Sequence, residues 1–157
     1  MVRTGNLSCF TLVVPLQNID FYLGALAAVV LFAVAVLHIS WAFKGSSASA
    51  LVVPTKDGAP LFVPSRTATF LVAAALFLAV LITLGNIGWP ISFVPQLVYK
   101  IGSWTLGIVF LARSIGDFRY VGLFKKVRGS AFGKLDSRLY TPLCTLLACI
   151  FLILAVS

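Results

Sequence analysis

Nine residues of this chain have the types and spacing to build one polar site: His38, Trp41, Arg113, Asp117, Arg119, Tyr120, Asp136, Arg138 and Tyr140. His38 and Trp41 are three apart and fall on one helix face. Arg113 and Asp117 are four apart and pair if a single helix carries both, but Gly116 between them is equally a helix stop that would leave Asp117 in a loop. The chemistry these types support is ion pairing and contact with charged headgroups. None of them forms a recognisable catalytic constellation, so no catalytic residue is assigned.

The segment from Arg113 to Cys144 holds seven of the twelve basic residues and two of the four acids. Positive charge alone would orient a membrane protein, so the acids Asp117 and Asp136 point to ion pairs that hold the segment in one shape. The expectation is a network of Arg113, Asp117, Arg119, Asp136 and Arg138 that folds this loop against the helix ends near His38, with Lys125 and Lys126 left in solvent. Each residue also has a plainer reading. His38 would be a hydrogen-bonded interior histidine, Trp41 and Tyr140 interface anchors, and the arginines and lysines topology and headgroup contacts.

The elements that must position these groups follow from composition. With 61% hydrophobic residues, 10% charged and a mean hydropathy of +1.08, the chain has too little polar surface to cover a soluble globule. The expected fold is all-α, a four-helix transmembrane bundle forming one integral membrane domain. Its spans run over about 21–43, 67–88, 93–115 and 139–157. Asn18 or Asp20 would cap the first, Gly88-Trp89-Pro90 would end the second, and Pro95 sits in the first turn of the third with Lys100 soon after. Thr141-Pro142 reads as an N-cap followed by proline at the first helical position. Met1 to Asn18 reads as a short tail at the membrane surface, its apolar run stopped by Pro15. Small residues four apart, Gly24/Ala28, Thr69/Ala73, Ala75/Ala79 and Ser103/Gly107, would let the spans approach closely.

The first connection carries its own pattern. Leu51-Val52-Val53-Pro54 and Pro60-Leu61-Phe62-Val63 flank an Asp57-Gly58 turn signal, which predicts a short hairpin whose prolines limit pairing. Counting charge gives the orientation. Lys44, Lys56, Arg66 and the seven of the organising segment lie on one side, ten against Arg3 and Lys100 on the other. This places both long connections in the cytoplasm and both termini outside, in the inner membrane. The expected partners are membrane lipids with anionic headgroups, a second copy or another membrane protein, and not nucleic acid.

The runs RSIGDFRYVGLFKKV and FGKLDSRLYTPLC, with His38-Ile39-Ser40-Trp41-Ala42, Val53-Pro54 and Asp57-Gly58, resemble a bacterial family of small four-span membrane proteins catalogued as a domain of unknown function. The resemblance covers roughly residues 20 to 150. Glycine often follows the Trp-Ala pair closely in that family, whereas here Phe43 and Lys44 precede Gly45. The resemblance implies a four-helix integral membrane protein and carries no reaction, cofactor or substrate.

Several functions are disfavoured by the residues themselves. Cys144 and Cys149 lie about 140° apart around a helix and no C-x-x-C occurs. One histidine does not supply two axial haem ligands, and neither a glycine-rich phosphate loop nor a metal-ligand cluster is present, so no cofactor or metal is expected. The chain has no Glu, and its four Asp residues fall at span ends or in loops, which argues against a coupled transporter. The reading that survives best is a membrane-embedded binding or accessory module with a folded basic loop. An intramembrane enzyme acting on a lipid-like substrate and a small-solute transporter or channel are the alternatives.

Overall fold

The computed structural model describes residues 7–44, 52–56, 59–89, 91, 93–127 and 129–157. It is all-α apart from one minimal hairpin. Helix α1 spans Leu7–Lys44, strands β1 (Thr55–Lys56) and β2 (Ala59–Pro60) follow, and then come α2 (Arg66–Asn86), α3 (Gln96–Ile115) and the short α4 (Ala131–Leu135). A π-helical turn, Asp136–Tyr140, joins α4 to α5 (Thr141–Val156). Among the described residues three stretches are long and apolar enough to cross a membrane: Ile19–Lys44, Arg66–Asn86 and Ala131–Val156. Helix α3 has the length but carries Lys100 near its start and Arg113 in its last turn, which makes it the least apolar of the four.

The helix boundaries correct the sequence reading at four places. Pro15 does not end a surface tail, because α1 already runs through it from Leu7. Neither Asn18 nor Asp20 caps the first span, since both lie inside that same helix. Pro95 is the N-cap of α3 and lies outside its first turn. Thr141 is not an N-cap, since Tyr140 before it is already α-helical and the helix arrives unbroken through the π turn. Ser65, by contrast, caps α2 by accepting a hydrogen bond from the Ala68 N–H at 3.1 Å.

Helices α1 and α2 pack along each other, as do α3 and α5, and the α2·α3 and α1·α5 contacts join the two pairs. The centre is filled by Ala27, Leu31, Ala79, Leu147, Ile150, Phe151 and Leu154, with the Phe110 and Phe151 rings stacked at 5.8 Å. Small residues stand at the close approaches. A Cβ on Gly24 would strike Ile87, and one on Gly107 would meet Leu152. Outward faces stay apolar, with Val29, Leu71, Leu78, Val98 and Ile108 exposed, a surface suited to lipid and not to water.

One polar clamp fixes the turn between α2 and α3. The Asn86 amide donates to the Tyr99 carbonyl at 3.1 Å and to Ser103 Oγ at 2.8 Å, while the Tyr99 hydroxyl accepts from the Ile91 N–H at 2.7 Å. The predicted hairpin is present with the register Thr55↔Pro60 and Lys56↔Ala59, closed by a bond from the Leu61 N–H to the Pro54 carbonyl at 2.9 Å. Its length of two residues per strand follows from the prolines at either end. Asp57 and Gly58 lie outside the described residues.

Candidate functional site

The chemistry of the chain collects where the C-terminal ends of α1 and α3 meet the start of α2, the segment 116–130 and the π turn. Asp136 is its centre and is fully buried. Its Oδ1 accepts from Arg113 Nη2 at 2.9 Å. Its Oδ2 accepts from Lys125 Nζ at 2.8 Å, from the Gly122 N–H at 3.0 Å and from the Thr141 hydroxyl at 3.1 Å. A buried carboxylate this heavily satisfied is stable as an anion, since its charge is matched and its lone pairs are filled. The π turn makes this possible: the Thr141 N–H reaches the Asp136 carbonyl five residues back, and the same wide turn brings the Thr141 hydroxyl to the Asp136 side chain. Single π turns of this kind often mark functional positions.

Segment 116–127 wraps this carboxylate through two glycines. Gly116 caps α3 at φ +80°, and Gly122 adopts φ +90°, a region open mainly to glycine. The two backbones touch, so that a Cβ on either residue would run into the other turn. The Leu123 N–H donates to the Ser114 carbonyl at 2.8 Å and the Val127 N–H to the Arg119 carbonyl at 2.9 Å. These bonds tie the segment back onto the end of α3 and onto itself.

Its mechanism is different from the one the charges indicated. Asp117 pairs with no cation among the described residues. It lies beyond the end of α3, exposed, and its Oδ1 accepts the N–H groups of Arg119, Tyr120 and Val121 at 2.9, 2.7 and 2.8 Å. Burial acts to raise its pKa, and the backbone N–H groups of Tyr120, Val121, Arg119 and Asp117 itself outweigh it and hold the carboxyl below the usual carboxylate range. Arg119 is exposed and stands over the Tyr120 ring, 5.4 Å from its centroid, and Arg138 is exposed. The partner that the sequence reading left in solvent, Lys125, is only 3% exposed and forms the second ion pair of Asp136, whereas Lys126 is indeed exposed. Tyr140 packs its ring 6.1 Å from that of the buried Phe132.

Beside this cluster lies a cavity of about 620 Å³, within the size range of small-molecule sites. His38, Trp41 and Arg113 line it, joined by Arg66 at the start of α2 and by apolar walls that include Val53, Phe62, Val72 and Phe132. His38 Nδ1 is 2.8 Å from the Val34 carbonyl, so that nitrogen donates and the imidazole is held in place. Its ring lies 5.0 Å from that of Trp41. Of the nine residues singled out from the sequence, three line the cavity and Asp136 stands behind them holding Arg113. Asp117, Arg119, Tyr120, Arg138 and Tyr140 do not line it. Sequence reasoning missed Lys125, Thr141, Gly122 and Arg66. The only signal for any of them was the pair Gly116 and Gly122, which bracket a tight turn. A smaller cavity of about 370 Å³ at the other end is lined by Asp20, Asn86, Lys100 and Ser157, among others. Among the described residues no group of three His, Cys, Asp or Glu side chains is placed to hold a metal ion.

A model of a family described as protein of unknown function (DUF3995) matches residues 31–151. The match covers most of the chain, and the chain belongs to that family. It includes His38, Trp41, Arg66 and every residue of the Asp136 cluster. No curated protein and no solved structure matches the chain.

Proposed function

We propose that this protein is a four-span inner-membrane protein that binds a small amphipathic molecule in the cavity beside Asp136, as a binding or accessory module. The observation that carries the reading is the cavity itself: about 620 Å³ with mainly apolar walls, opening among His38, Trp41, Arg66 and Arg113. Helix α3 would be the remaining span. Lys100 lies in its second turn, near enough to one end for its ammonium to reach the interface by snorkelling, and Arg113 lies at the other. In this arrangement the cavity faces the cytoplasm with the basic segment 116–130 and the hairpin, and both termini face outside, following the ten-to-two split of basic residues.

Two measurements test the parts of this reading separately. Reporter fusions after Ser157 are expected to read outside, and insertions at Gly129 to read cytoplasm; the opposite pattern overturns the orientation. Native mass spectrometry of the gently solubilised protein is expected to show one retained amphipathic molecule per chain. Ala68 lines the cavity, so Ala68→Trp should fill it and abolish that retention while leaving the folded yield. An Ala68→Trp protein that keeps its adduct would place the molecule elsewhere.

A further inference from the structure

Among the described residues, the cavity and the cluster beside it carry more basic side chains than acidic ones. Two cations, Arg113 and Lys125, converge on the single carboxylate of Asp136. Arg113 spends only Nη2 on that pair. Its Nη1 is buried with no hydrogen-bond partner among the described residues, and the residue lines the cavity. An unpaired buried guanidinium nitrogen is costly, more so than a neutral donor, because it combines a lost hydrogen bond with incompletely compensated charge. Arg66 adds a second positive charge at the cavity edge, and among the described residues no Asp or Glu lines it. The wall beyond is apolar.

From these observations, and resting on the reading of the cavity as a binding site, we infer that its occupant is a membrane lipid with an anionic headgroup. The headgroup oxygen is held by the guanidinium charges of Arg113 and Arg66, and an acyl chain lies along Val53, Phe62 and Val72. The role of Asp136 is to fix the Arg113 guanidinium at the cavity wall. A planar fork can bind Asp136 and a headgroup at once, whereas lysine at 113 would have a single nitrogen for both.

Trp41 lines the same cavity and serves as the reporter once Trp89 and Trp104 are replaced by Phe. The protein is placed in nanodiscs of phosphatidylcholine containing either brominated phosphatidylglycerol or brominated phosphatidylcholine at equal mole fraction, and quenching of Trp41 is read against that fraction. Half-quenching by the anionic lipid is expected at roughly tenfold lower mole fraction, the scale of one charge-assisted hydrogen bond. Arg113→Lys and Arg66→Gln should each remove most of that preference; Arg66 is exposed, so its variant tests the inference even if Arg113→Lys fails to fold. Inorganic phosphate at millimolar concentration should not relieve the quenching. Equal quenching by the two lipids in the parent protein overturns the anionic headgroup but leaves a lipid site. Relief by inorganic phosphate overturns the lipid and leaves an anion site. Absence of quenching by either lipid overturns the binding reading as a whole.

Discussion

Asp136→Asn is expected to lower the stability of the detergent-solubilised protein by about 3–5 kcal/mol, the loss that follows when one member of a buried ion cluster is removed and its partners keep their charge. The amide could still accept from the Gly122 N–H and the Thr141 hydroxyl, but Arg113 and Lys125 would face each other without an anion between them. Lys125→Gln should destabilise less than Asp136→Asn, because Asp136 keeps Arg113, Gly122 and Thr141. Lys126→Gln, one residue along and exposed, should change stability by less than about 0.5 kcal/mol. Thermal unfolding of the four proteins in one detergent ranks them. If Lys125→Gln matches Lys126→Gln, Lys125 does not share Asp136 and the cluster as drawn is wrong.

The second large effect is expected at Gly122. Alanine there must adopt φ +90° and places its Cβ against the Ile115 carbonyl and 2.7 Å from Gly116 Cα, all of it backbone that cannot rotate aside. Strain at a positive φ and overpacking each cost about 1–3 kcal/mol, so Gly122→Ala should destabilise by about 2–5 kcal/mol and withdraw the N–H from Asp136. Gly129 offers the matched control, with nothing within 4 Å of a built Cβ; Gly129→Ala should be neutral within about 0.5 kcal/mol. Equal behaviour of the two alanine variants in thermal unfolding would mean that the 116–122 turn is not held as described.

How much of this was legible in the sequence depended on the range of the interaction. The helices were readable because apolar runs of 20 or so residues and their Pro and Gly stops are local signals, and α2 begins and ends within two residues of its expected limits. The hairpin was readable from its Asp-Gly turn flanked by prolines. The acids among basics drew attention to this segment, and Arg113 lies 2.9 Å from Asp136 in the structure. What could not be read was which acid did which job. Asp117 follows a helix-stopping glycine and precedes three free backbone N–H groups, which is the setting for a turn cap and not for an ion pair. The pairing of Lys125 with Asp136 depends on the left-handed turns at Gly116 and Gly122, which fold the chain back on itself; no periodicity encodes it. Arg66 and Val53 meet His38 only because α1, the hairpin and α2 converge at one end.

The central claim is that Asp136 fixes the Arg113 guanidinium at the wall of a cavity that takes an anionic headgroup. An experimental structure determined in native lipid tests it most directly. The account predicts elongated density along Val53, Phe62 and Val72, ending in a headgroup oxygen about 2.8 Å from the Arg113 guanidinium, with Nη2 still on Asp136. A cavity closed by inward movement of Phe62 or Phe132, or an Arg113 whose two nitrogens both bind protein oxygens, would contradict it.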